Sequence, residues 1–242
     1  MRRLEDAREL LDGPLDDPAV VLGNLRDLRR FNRHLGGAAI SAAAIRELAG
    51  DPPRAVSLLD VGTGTADIPL ELVRRLRRQG RAAGAVAVDA RAEILDLART
   101  LDPRLRGGDG VELAVADGRA LPFGDSTFDV VHSSLVLHHL EPPDAVAFLQ
   151  EARRVARRGV IVNDLVRARH YWWLARALVA LAFRNRITRH DAPLSVRRAY
   201  TRMELRALLA SAGLRPIHEA TAALGHRVAI AAVPIVDPPA RP

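Results

Sequence analysis

Residues 1–50 show apolar positions at helical spacing and no strand pattern. Leu10 and Leu11, then Val20, Val21, Leu25, Leu28 and Leu35, mark the apolar faces. Pro14 and Pro18 divide a first predicted helix from a second, and Asp51-Pro52-Pro53 closes the segment. From Arg54 the pattern changes to short apolar runs alternating with amphipathic stretches. Strands are predicted at 55–61, 85–88, 111–116, 128–135 and 160–162, with helices at 68–78, 92–101 and 144–157. Runs that are apolar throughout suit strands buried on both faces. Alternation at this spacing predicts a parallel sheet with right-handed crossovers.

The last quarter reads differently. Residues 166–200 predict an aromatic helix followed by a basic loop. A helix over 203–212 stops at Gly213, as a C-cap glycine would stop it. Strands at 214–220 and 227–233 lie too close in sequence for a helical crossover, so they pair antiparallel. The expected fold is α/β, a doubly wound Rossmann-like sheet of seven strands. It is mostly parallel, with an antiparallel last strand and a helical N-terminal cap. The expected organisation is a cap over 1–50, a catalytic domain over 51–236 with a lid insertion at 166–200, and a disordered tail at 237–242.

Composition narrows the function. Of 242 residues, 48% are hydrophobic and 27% charged, as in a soluble globular protein. No apolar run reaches membrane-span length, and the start lacks the apolar centre of a signal peptide. Absent cysteine excludes disulfides, thiolate metal sites and thiol catalysis, and fits a cytoplasmic location. No metal site is expected. The net charge of +7 is carried by arginines spread along helix faces, such as Arg74, Arg75, Arg77 and Arg78. Few aromatics interleave with them, so they read as solvated faces and not as a nucleic-acid surface.

The chemistry concentrates at Asp60-Val61-Gly62-Thr63-Gly64-Thr65-Ala66-Asp67, a strand, a glycine turn and a helix start. Glycines let backbone approach a ligand closely, and ligands in open α/β sheets sit beyond the carboxyl ends of the strands. A turn lined by carboxylates suits an ammonium better than a pyrophosphate. Asp89 ends the second strand, where it can accept two ribose hydroxyls. Asp117 ends the third, where it can accept from an exocyclic amine. A single aspartate here would read as a cap or turn residue; three in register read as a site.

These pieces resemble the class I S-adenosylmethionine-dependent methyltransferases. Leu59–Gly64, Val88-Asp89, Ala116–Phe123, Phe128–Val131, Leu137–Leu140 and Glu151–Val155 fall in that family's order over about residues 55–165. The resemblance implies that Gly62 and Gly64, with Asp60, Thr63, Thr65 and Asp67 around them, line the amino-acid end of S-adenosylmethionine. It implies that Asp89, with Ala90 beside it, holds the ribose and that Asp117 and Gly118 meet the adenine. Ser133 and Ser134 would face the sulfonium and the acceptor. Ala66 stands where the family often has a third glycine. The competing reading, a nicotinamide-dependent dehydrogenase, needs a third glycine where Asp67 stands, and an acidic residue nearer than Asp89.

His138 and His139 follow strand four and are the candidate bases for an acceptor hydroxyl; a structural role is the alternative. On an extended segment only one of them would face the pocket. Asn163 and Asp164, ending strand five, could orient the acceptor or cap the next segment. His170-Tyr171-Trp172-Trp173 would either suit a flat apolar acceptor or pack against the core, and Arg184, Arg186, Arg189, His190 and Asp191 either close over the site or are solvated. Arg33, by analogy with similar caps, could reach the cofactor's carboxylate. The implied branch methylates small aromatic acceptors of phenolic, quinone or polyketide type, with transfer to oxygen favoured. Transfer to carbon and a non-catalytic cofactor-binding role are the alternatives. The partner is a small molecule, with no nucleic acid and no membrane span; an oligomer is possible.

Overall fold

The computed structural model describes residues 1–15, 17–107 and 109–235; the expected tail at 237–242 lies outside them. Two helices, α1 (Pro18–His34) and α2 (Gly37–Ala49), precede the first strand. Then β1 (Val56–Val61), α3 (Asp67–Arg78), β2 (Ala83–Asp89), α4 (Ala92–Leu101), β3 (Val111–Val115), β4 (Phe128–Ser134), α5 (Pro142–Val155) and β5 (Ala156–Leu165) alternate. Two further helices, α6 (Arg169–Ala182) and α7 (Arg186–Arg198), precede α8 (Arg202–Ser211), β6 (Leu214–Thr221) and β7 (Arg227–Pro234).

The seven strands form one sheet in the order β3-β2-β1-β4-β5-β7-β6. β1 pairs parallel with both β2 and β4, so crossovers leave it in opposite directions and open a crevice at its carboxyl end. β7 runs antiparallel between β5 and β6. One face of the sheet packs on α5 and α8 through Phe148, Leu149, Leu205 and Leu209. The other packs on α2 and α3 through Ala44, Leu48, Leu72 and Leu76. A third cluster, Val21, Leu25, Ile94 and Ile187, ties α1 to α4 and α7. No helix among the described residues is long and apolar enough to cross a membrane.

Three local expectations are corrected. Among the described residues no helix forms before Pro18. The N–H groups of Leu10 and Leu11 donate instead to Asp191, at 2.8 and 3.0 Å, and Arg91 binds the carbonyls of Leu11 and Gly13. A backbone spoken for at long range cannot close helical hydrogen bonds, so residues 1–15 lie as a strap across α7. β5 begins at Ala156, inside the predicted helix, because Arg157 and Arg158 pair with Asp129 of β4 while their backbone joins the sheet. The predicted basic loop is helical: Arg186, Arg189, His190 and Asp191 belong to α7, capped by Asn185.

Candidate active site

The turn after β1 is built from left-handed backbone. Gly62, Gly64 and Ala66 have φ of 72°, 55° and 52°. A Cβ on Gly62 would land on Val136, so that glycine is required twice over, by conformation and by space. Ala66 is fully buried where the turn enters α3. Asp89 is set by this turn: its carboxylate accepts from Gly64 N–H at 3.0 Å and Arg91 N–H at 3.1 Å. Burial nevertheless raises its pKa, against those two hydrogen bonds. Burial raises Asp67 as well, although Thr65 and Asn32 both donate to it.

A cavity of about 780 Å³ runs from this turn across the carboxyl edge of the sheet. It is in the upper part of the roughly 300–1,000 Å³ range of ligand pockets. Asp60, Gly62, Thr63, Gly64, Thr65 and Asp67 line it, as do Asp89, Ala90, Asp117, Gly118 and Ser134. The Oγ1 of Thr63 is buried without a hydrogen-bond partner. Asp117 is held by Arg119 at 3.0 Å, which lowers its pKa.

Two candidates fall elsewhere. Arg33 is exposed and does not line the cavity; on α1 it is the neighbouring Asn32 that faces inward. Ser133 is buried outside the lining, because successive side chains on β4 alternate and Ser134 takes the cavity side. Asp60 lines the cavity, yet one of its oxygens is bound to His132 Nδ1 at 2.5 Å. The tryptophans are corrected too: Tyr171 lines the cavity, whereas Trp172 and Trp173 do not.

Sequence reasoning missed a buried cation of this cavity. Arg227 opens β7 with 2% exposure and lines the cavity, as the more open Arg91 and Arg119 also do. It donates to Asn163 Oδ1 at 2.6 Å, Asn32 Oδ1 at 2.8 Å and Ser134 Oγ at 2.5 Å. None of these partners is a carboxylate. Burial lowers its pKa to about 10, with Asp164 and Asp67 pulling the other way. The available signal was an arginine heading the otherwise apolar run Val228–Val233.

The opposite end holds the histidines. His138 and His139 sit in a short 3₁₀ turn over Leu137–His139, not on an extended segment, so both line the cavity, with ring centroids 4.2 Å apart. His138 Nδ1 donates to Asp164 Oδ1 at 2.6 Å, and His139 Nδ1 lies 3.0 Å from Asp12. With Nδ1 directed at a carboxylate, Nε2 of each ring is the nitrogen left to face the cavity. Both face Glu9 of the strap, at 3.7 and 3.9 Å. Glu9 is buried and its Oε1 has no hydrogen-bond partner. Burial raises its pKa to about 7. The His139 and Arg198 hydrogen bonds lower Asp12 to about 2, overcoming its own burial. Glu9, His138 and His139 bring one donor atom each within 4.8 Å of one another, a set that suits a metal ion. The Arg198 guanidinium, 3.8 Å from Glu9, already places positive charge there. Apolar walls come from Leu25 and Leu28 of α1 and from Leu174, Leu178 and Val179 of α6.

Residues 58–159 match the family described as a methyltransferase domain. A demethylmenaquinone methyltransferase of Roseiflexus sp. (strain RS-1) is 31% identical over 140 residues, covering 54% of this chain and 55% of the relative. A ubiquinone/menaquinone biosynthesis C-methyltransferase of Rickettsia prowazekii is 29% identical, covering 42% of this chain and 40% of the relative. The matched stretches thus span about half the length of these curated relatives or less. Among solved structures, a SAM-dependent methyltransferase from Aquifex aeolicus superposes with a TM-score of 0.61 at 19% identity. That likeness covers 91% of this chain and 99% of the other, and shows a shared fold.

Proposed function

We propose that this chain, which carries a methyltransferase domain on the fold of the S-adenosylmethionine-dependent enzymes, transfers a methyl group from S-adenosylmethionine to a small, apolar, hydroxylated aromatic acceptor. One observation carries the reading: a single cavity joins the glycine turn and Asp89 at one end to His138 and His139 at the other.

The residues present fit the cofactor. Gly62 and Gly64 leave a concave backbone without side chains, and Thr63 Oγ1 is an unpaired polar atom beside it. Asp89 accepts ribose hydroxyls; Asp117 and Gly118 meet the adenine. Arg227, in place of Arg33, gives the cofactor's carboxylate a buried cationic fork. The bound cofactor supplies a methyl group on a sulfonium that is electrophilic without further activation. The protein's part is then alignment and removal of the acceptor's proton. Asp164 fixes the tautomer of His138 so that its Nε2 can take that proton, and His139 backs it across the stacked rings. The apolar walls of α1 and α6 exclude water from the anion so formed.

Methylation at the deprotonated oxygen is the favoured outcome, because His138 and His139 line the same cavity as the glycine turn and can take that oxygen's proton beside the donor. Methylation at a ring carbon activated by the same anion is the second reading, favoured by the C-methyltransferase among the relatives. Calorimetric titration with S-adenosylhomocysteine beside NADH tests the class: binding of the first alone is expected, and binding of NADH alone overturns it. Transfer of a ¹³C-methyl group to phenol and quinol acceptors then separates O–CH₃ from C–CH₃ by chemical shift.

A further inference from the structure

One helix is apolar on two sides. Tyr171, Leu174, Ala175, Leu178 and Val179 recur along α6 at intervals of three and four and line the cavity. Trp173, Ala177, Ala180 and Leu181 recur the same way on the solvent side. Trp173 is 58% exposed and Leu181 88%. A surface helix normally presents polar residues outward, and one apolar all round belongs in a core or at a lipid boundary.

Its charges are of one sign. No aspartate or glutamate occurs between Asp164 and Asp191, while Arg169, Arg176, Arg184, Arg186 and Arg189 are all exposed. Arg176 lies over both indole rings, 5.1 and 5.8 Å from their centroids. Arg189 and Arg176 also flank a shallow groove between α6 and α7, floored by Ala177, Ala180 and Pro193. Tryptophan beside arginine at the rim of an apolar face is the chemistry of a bilayer interface, where the indole takes the headgroup level and the guanidinium meets lipid phosphate.

We infer that α6 docks this protein on an anionic phospholipid surface, with Trp173 and Leu181 entering the interface and the arginines of α6 and α7 binding headgroup phosphates. The helix lies in the membrane plane and does not cross it. Because its other face walls the cavity, docking brings the acceptor end against lipid. An apolar aromatic acceptor can then enter from the bilayer without passing through water; this last step rests on the function proposed above. A protein partner would need acidic complementarity over an area larger than one helix face offers.

The chain's two tryptophans are Trp172 and Trp173, so its tryptophan emission reports on this helix alone. The test uses the untagged full chain with vesicles of phosphatidylglycerol and phosphatidylcholine, or of phosphatidylcholine alone. Expected are co-sedimentation with the anionic vesicles, a blue shift of emission, and quenching by lipids brominated along the acyl chain. L181S should abolish the shift. R184Q/R186Q should weaken partition about tenfold to thirtyfold, at roughly 1 kcal/mol per arginine. Both variants should keep wild-type affinity for S-adenosylhomocysteine, which shows that they are folded. Sedimentation with no shift or quenching would mean that bulk positive charge binds the vesicles, and would overturn the proposal. So would an L181S variant that behaves as wild type, or a concentration-dependent dimer that L181S dissolves. Failure of wild type to bind S-adenosylhomocysteine would sink the methyltransferase reading and leave the vesicle result to stand by itself.

Discussion

Asp164 reaches His138 twice, once through the imidazole Nδ1 at 2.6 Å and once through the backbone N–H at 3.2 Å. The carboxylate thus fixes both the ring's tautomer and the turn that carries it. It is fully buried, and His138 holds its pKa low despite that burial.

If His138 takes the acceptor's proton, H138A lowers kcat by about 10²–10⁴-fold. D164N does nearly as much with little change in KM, since the wrong tautomer then faces the cavity. H139A costs less, because its Nδ1 is tied to a half-exposed Asp12. Steady-state rates with a defined acceptor check the order. Equal, small losses for all three variants would return the pair to a structural role.

R227K separates the two ends of the cofactor. Lysine keeps the charge and loses the fork that meets Asn163, Asn32 and Ser134. Affinity for S-adenosylhomocysteine should fall about 10–100-fold, while 5′-methylthioadenosine, which lacks the amino-acid end, binds as before. Calorimetry with both ligands reads the difference; an equal loss for both would mean the variant disturbs the whole pocket.

The glycine turn makes a stability prediction. Alanine at Gly64 meets nothing within 4 Å and costs about 1–2 kcal/mol for its left-handed backbone. Alanine at Gly62 adds a collision with Val136 and should cost about twice as much or more. Thermal unfolding of the two variants should rank them in that order.

Glu9 makes the strap sensitive to pH. Its pKa is raised from 4.5 to about 7 on folding, so the folded state favours the protonated form. The associated stability is fully present below pH 4.5 and is lost as pH rises through about 7. Its neighbours His139, Asp12, Asp191 and Ser195 shape the same window. Docking of residues 1–15 should therefore loosen as pH rises from about 4.5 to about 7, by up to about 3 kcal/mol. Hydrogen exchange at the N–H groups of Leu10 and Leu11 reads this directly, and E9Q should remove the dependence.

What the sequence made legible was local. The strand, glycine turn and helix at 56–78 lie within one short stretch, and their chemistry is read from neighbours along the chain. What it concealed was long-range. Leu10 and Leu11 carry helical spacing, but their N–H groups are taken by Asp191, 181 and 180 residues away. Arg227 bonds to side chains on α1, β4 and β5; its place at the head of an apolar run marks it as unusual, but nothing adjacent to it names those partners. The histidine turn was misread for a smaller reason: a single 3₁₀ turn has too few residues to show a period.

β7 enters the sheet between β5 and β6 and carries Arg227 at its head. In a chain emerging from the ribosome, the glycine turn and both histidines exist long before this strand does. Until it arrives, the apolar run of β5 from Val160 to Val162 is an open sheet edge, a template for pairing with other chains. On the function proposed above, the end of the site that Arg227 gives to the cofactor's carboxylate is incomplete for the same interval. A nascent chain of this protein is thus most prone to aggregate when its ligand can help it least, and on that same function it acquires tight cofactor binding together with its closed edge, once β7 is in place.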